Sequence, residues 1–138
     1  MGKRISSSVL ALVLSAFVTF SASGGGFDGS ANLVCASIDV VGCTDGPVCL
    51  QAHAHEFELP EFVFVDFAGK VVRATDESGH KEVSPIKSTE STDKQIVLQG
   101  FENHRGWTLA VDRNTGRMTI TSAGPDVSFM IFGACTAL

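Results

Sequence analysis

The chain has 138 residues, 44% of them hydrophobic and 18% charged, which suits one packed domain and is too apolar for a disordered chain. Ten basic residues stand against fifteen acidic ones, and setting aside Lys3 and Arg4 leaves a charge of −7. A field of that sign repels phosphate backbones and anionic lipid, so it argues against nucleic-acid and membrane-surface binding.

The N-terminus reads as three zones: basic Met1-Gly2-Lys3-Arg4, an apolar run over 9–20, and small Ser21-Ala22-Ser23-Gly24. That is the pattern of a secretory signal peptide, and the run is shorter than the ~20 apolar residues of a bilayer span. Cleavage after Ser23, or one residue later, leaves about 115 residues. The expected plan is a signal peptide over 1–23, a flexible leader over 24–31 and a single β domain over 32–138. No membrane span is expected once the signal is cleaved.

The cysteines are Cys35, Cys43, Cys49 and Cys135, all in the exported part. An even count in a small exported domain reads as two disulfides. Of the three connectivities, we favour Cys43–Cys49 closing Thr44-Asp45-Gly46-Pro47-Val48, with Cys35–Cys135 joining the two ends of the domain. Zinc held by these cysteines is the rival reading, and their spacing lacks the C-x-x-C that it usually needs.

Beyond the leader, apolar residues come in short runs rich in Val, Ile, Phe and Thr, separated by turn residues. Strands are predicted over 32–40, 49–59, 62–67, 70–74, 82–88, 95–101, 107–112, 117–122 and 127–134. The clearest unit is the hairpin over 106–122. There Trp107, Leu109 and Val111 alternate with polar or small residues, Arg113-Asn114-Thr115-Gly116 turns the chain, and Met118 and Ile120 alternate on the return. Short loops between successive strands predict an all-β antiparallel meander closing into a barrel of about eight strands, with a β-sandwich as the alternative. The runs 62–67 and 129–132 are apolar on both faces. The outer face therefore needs a cover: the loop closed by Cys43–Cys49, the N-terminal segment, or a second copy in a homodimer.

His53 and His55 flank Ala54, and on a strand residues two apart share a face, so both imidazoles would reach one copper or zinc ion. A third ligand would come from His104, His80 or Glu58. No other cofactor is expected. The loop over 100–106 groups Glu102, Asn103, His104 and Arg105 between two strands, where binding residues often sit. Trp107 reads as a core anchor. No G-x-S-x-G elbow exists, oxidised cysteines offer no thiolate, and Gly24-Gly25-Gly26 lacks the strand and helix of a phosphate loop, so no catalytic residue is assigned.

Val97-Leu98-Gln99-Gly100-Phe101-Glu102-Asn103, then Gly106-Trp107, Asp112 to Met118 with Thr115-Gly116, and Phe132-Gly133-Ala134-Cys135-Thr136 resemble a family of small exported, disulfide-containing proteobacterial proteins of uncharacterised function. The resemblance spans roughly 95–136 and implies an exported, disulfide-containing domain, with no catalytic residue to carry over. Small periplasmic β-barrels that inhibit lysozymes share the size and disulfide habit, though not a motif. The leading expectation is thus an exported, periplasmic or secreted, non-enzymatic β-domain binding a protein or small ligand. Its acidic surface favours a basic protein partner. The alternatives are a periplasmic copper- or zinc-binding protein using His53 and His55, and a small hydrolase.

Overall fold

A computed structural model describes residues 26–44 and 46–138, so the predicted signal peptide lies outside the described residues. Among these described residues, nine antiparallel strands follow in chain order: β1 (Leu33–Thr44), β2 (Val48–Ala52), β3 (Phe62–Asp66), β4 (Val71–Ala74), β5 (Val83–Ser91), β6 (Gln95–Glu102), β7 (Arg105–Asp112), β8 (Arg117–Ala123) and β9 (Val127–Ala137). From β3 to β9 each strand pairs with the next, and β9 returns to pair with β1 along nearly its whole length. That last ladder closes an eight-stranded barrel and excludes the sandwich. β2 is the extra strand. It shares one edge of β1 with β3, pairing with Val40–Thr44 while β3 pairs with Leu33–Ala36.

Period-two alternation explains the closure. Leu33, Cys35 and Val40 of β1, Val63 and Val65 of β3, and Leu109 and Val111 of β7 point inward and are buried, with Leu98 and Met118 between them. An eight-stranded barrel is just wide enough for such side chains to fill it. This is an apolar, packed interior, the reverse of the polar lumen of outer-membrane barrels. Among the described residues no helix is long and apolar enough to cross a membrane.

Both predicted disulfides form, and each joins residues directly opposite in register: Cys35 with Cys135 across β1–β9, and Cys43 with Cys49 across β1–β2. The first staples the seam where the barrel closes. Burying about 100 residues of chain in one covalent loop gives it the larger chain-entropy effect.

One end of the barrel is plugged. Gly26 to Ala31, read from the sequence as a flexible leader, make a turn across this end, and Phe27 packs against the core. Gly116 is buried with φ of +70°, and a Cβ there would stand 2.5 Å from the Phe27 ring, so the 112–116 turn admits the plug only with glycine. Asp112 shapes that turn. Its carboxylate accepts from the amides of Asn114 (2.9 Å) and Thr115 (2.8 Å) and from the Thr115 hydroxyl (3.0 Å).

Two expectations need correction. Residues 49–59 are not one strand: β2 stops at Ala52, and Ala54–Phe57 forms a 3-10 helix. The Glu56 carboxylate accepts from the His53 amide at 3.0 Å, which starts a helical turn. Burial of Ala54 and packing of Phe57 against Phe129 and over Gly42 then hold it. Nor does the Cys43–Cys49 loop cover the outer apolar face. Because the disulfide joins register partners, the hairpin continues the β1 sheet instead of folding across it. Phe62, Met130 and Phe132 stay 41–46% exposed.

Candidate functional site

Opposite the Phe27 plug the barrel is open, and the opening leads into a cavity of about 200 Å³. Its floor is apolar, from Val63, Val72, Leu109, Ile120 and Ile131. Trp107 forms one wall. The indole lies flat against Gly100, its register partner on β6, where a Cβ would stand 2.2 Å from the ring. The ring edge is fixed too, since Trp107 Nε1 donates to the Ser84 hydroxyl at 2.6 Å, and Ser84 is buried. The anchor role expected for Trp107 holds, as it packs against the core, and the same ring faces the cavity.

The rim is polar and comes from five separate places: Glu58 after the 3-10 helix, Arg73 on β4, His80 and Glu82 before β5, Glu102 and Asn103 at the end of β6, and Arg105 on β7. Glu102 and Arg105 are register partners, so Asn103-His104 is a two-residue hairpin turn, with φ of +47° and +61°. Positive φ at both central positions is the turn whose twist suits a β-hairpin. It brings Glu102, Asn103 and Arg105 to the cavity and leaves His104 exposed outside it. Three of the four loop residues singled out from the sequence therefore meet at one site.

The charges of the rim are unequally committed. Arg73 bonds Asp76 at 3.3 Å and lies 4.5 Å over the Phe64 ring, and Arg105 lies 5.8 Å over Phe129. His80 faces Glu82 at 3.5 Å. Among the described residues, Glu58, Glu102 and Arg105 have no ion-pair partner, and Arg105 stands opposite Glu102 in register. The rim thus offers two unpaired carboxylates and one guanidinium above an apolar floor.

The histidine pair is arranged otherwise than predicted. His53 precedes the 3-10 helix and His55 lies within it, so they are not alternate residues of one strand face. Their rings still stack, with centroids 5.9 Å apart. Each Nδ1 is engaged, that of His53 with the Ile38 carbonyl at 3.3 Å and that of His55 with the Glu61 carboxylate at 3.2 Å. No group of three His, Cys, Asp or Glu is placed to hold a metal ion among the described residues. His55 instead lines an outer groove that also touches Glu58, Leu59 and His80, so this groove runs into the barrel mouth.

Comparison with protein family models, curated proteins and solved structures found no match. Function therefore rests on the site. Glu58, Arg73, Glu82, Ser84 and Trp107 were not assigned to it from sequence, because they converge from β4, β5, β7 and two connecting segments. One signal was available: if Glu102 faces Arg105, then Gly100 faces Trp107, and a glycine opposite an indole marks a ring lying against bare backbone.

Proposed function

We propose that this chain is an exported, non-enzymatic binding domain whose barrel mouth takes a small ligand with an apolar body and a positively charged group. The observation that carries the reading is the cavity itself: closed below by the packed core and the Phe27 plug, apolar on its floor, and rimmed by the unpaired carboxylates of Glu58 and Glu102. Barrel mouths are a recurrent place for such sites. At about 200 Å³ the cavity is below the ~300–1,000 Å³ of drug-sized pockets, which suits a metabolite-sized amine or one long basic side chain of a protein. The negative field of the chain steers either towards it.

Export to the periplasm or beyond is supported by the N-terminal pattern and by two disulfides, which persist in oxidising compartments. A binding rather than catalytic role is supported by the commitments of the reactive groups. The buried hydroxyl of Ser84 accepts from Trp107, and all four cysteines are in disulfides.

The test uses Trp107, the only tryptophan of a chain without tyrosine, as an intrinsic reporter. Short alkylamines and carboxylates of matched length are titrated against its fluorescence, with calorimetry alongside. Amines are expected to perturb the emission saturably, matched carboxylates to bind more weakly, and Glu58→Gln with Glu102→Gln to remove the preference. Carboxylates binding as tightly as amines, or no saturable change with either series, would refute the proposal.

A further inference from the structure

The outer surface of the seam carries a second feature that the barrel mouth leaves unused. Reading across strands β3, β1, β9 and β8, the outward rows are Phe64, Val34 and Thr136; then Phe62, Ala36, Ala134 and Arg117; then Asp39, Phe132 and Thr119; then Val41, Met130 and Thr121. Their neighbours in sequence, Cys35, Val63, Ile131 and Met118, are buried, which fixes these as the outward set. In a chain with fifteen acidic and ten basic residues, these four rows hold one acid, Asp39, and one base, Arg117; Asp66 lies beyond them at the end of β3, and Arg73 of β4 covers the Phe64 ring at their corner. Asp39 and Arg117 have no ion-pair partner among the described residues.

We infer that this face associates with a second copy of the same chain. The charge arrangement selects that occupant. Asp39 and Arg117 stand on opposite sides of β9, next to Phe132 and Ala134 respectively. A two-fold axis running along β9 in the interface plane lays β8 of one copy over β1 of the other. Arg117 then approaches the partner's Asp39, and by symmetry the pair forms twice. The two rows differ by two residues along β9, about 7 Å, and packed faces stand about 10 Å apart, a combined span of about 12 Å that Arg117 and Asp39 bridge only with both side chains extended. Phe132 meets its own counterpart on the axis, flanked by Met130 and Ala134. Because the face is neutral, the excess negative charge of the two copies stays away from the contact.

The size of the face sets the strength. Four strands by about eight residues is about 19 by 27 Å, or about 500 Å² per copy. A pair buries at most about 1,000 Å², the low end for a specific interface, so association is weak, with a dissociation constant on the order of micromolar to hundreds of micromolar.

Sedimentation velocity of the purified protein from about 5 to 500 µM, a range covering most of that span, is the test. The parent is expected to pass from monomer to dimer, and Phe132→Glu to stay monomeric throughout. Asp39→Arg and Arg117→Asp should each weaken association about tenfold, and the two combined should restore it to within about threefold of the parent. The combined variant has the parent's net charge, so recovery reports the specific pairing. All these side chains point to solvent, and Trp107 emission with far-UV circular dichroism verifies the fold of each variant. A parent monomeric at the highest concentration, a Phe132→Glu variant that dimerises, or charge reversals that do not rescue one another would each overturn the inference.

Discussion

Gly133 on β9 lies against the bulge in β1, opposite Ser37, where a Cβ would fall 1.9 Å from the Ala36 carbonyl oxygen, 2.6 Å from Met118 Cε and 3.0 Å from the Ala36 carbonyl carbon. A carbon and a carbonyl oxygen approach no closer than about 3.3 Å, so Gly133→Ala forces the β1 backbone back by about 1.4 Å. That backbone has little freedom. Ser37 donates its amide to Glu61 at 2.8 Å, and the Cys35–Cys135 disulfide clamps the same two strands. Met118 can swing aside, but the carbonyl cannot. Overpacking costs about 1–3 kcal/mol where side chains relax, and a backbone clash belongs at or above the upper figure. For a domain of this size about 3 kcal/mol lowers the melting temperature by roughly 12 °C. Gly106→Ala is the matched control, since nothing lies within 4 Å of a Cβ there, and it should be neutral within about 0.5 kcal/mol. Thermal and urea unfolding followed by circular dichroism measure both. A Gly133→Ala variant melting within about 3 °C of the parent, or a Gly106→Ala variant falling as far, would refute the close approach of β9 to β1.

Other perturbations test other parts of the fold. Replacing Cys43 and Cys49 by serine should cost about 2 kcal/mol in the chain-entropy account, and replacing Cys35 and Cys135 about 4–5, so the second variant should lose clearly more stability in urea. His104→Gly should raise stability by about 1 kcal/mol, because His104 holds a φ of +61°, and should leave ligand titrations unchanged, because His104 faces away from the cavity. Ser84→Ala deprives Trp107 Nε1 of its acceptor and should cost about 1–3 kcal/mol, with altered Trp107 emission. The three bonds from Thr115 and Asn114 hold the Asp112 carboxyl below its ordinary value of 3.8. A carboxyl depressed in the folded state contributes stability above its unfolded pKa that is lost as pH falls through the folded one. Asp112→Asn should therefore lower stability at neutral pH and flatten its decline in acid. An unchanged acid limb in pH-dependent urea melts would contradict this.

Most of the barrel was legible because its signals are local. Alternation over Trp107–Asp112 and Arg117–Ser122, with Gly116 between, gives one hairpin outright, and short turns then force neighbouring strands to be antiparallel. The cysteine pairing followed from loop length and position. What was not legible depended on contacts between distant residues. Ala52 to His55 alternates as a strand would, yet the Glu56 cap and the seat for Phe57 over Gly42 turn the segment into a helix. β1 runs on past Val40 to Thr44 because Gly42 leaves room for that same ring. Phe27, set among glycines, gave no sign that it closes the barrel. At the mouth, Glu102, Asn103 and Arg105 stood out as a polar loop, whereas Glu58, Arg73 and Glu82 became rim residues only through closure.

β1 is bonded to β9 on one edge and to β3 and β2 in turn on the other, so the first strand of the barrel cannot be completed until the last arrives. A chain emerging N-terminus first therefore presents Cys35 a full 100 residues before Cys135, whereas Cys49 follows Cys43 after six. The short bridge has time to form while Cys35 waits as a lone thiol eight residues away from it. Thiolate attack on that young disulfide is the natural wrong turn during biosynthesis, and an oxidant that works fast without reshuffling would trap it. Correctly bridged protein is therefore expected to depend on the host's capacity for disulfide isomerisation as well as on its capacity for oxidation.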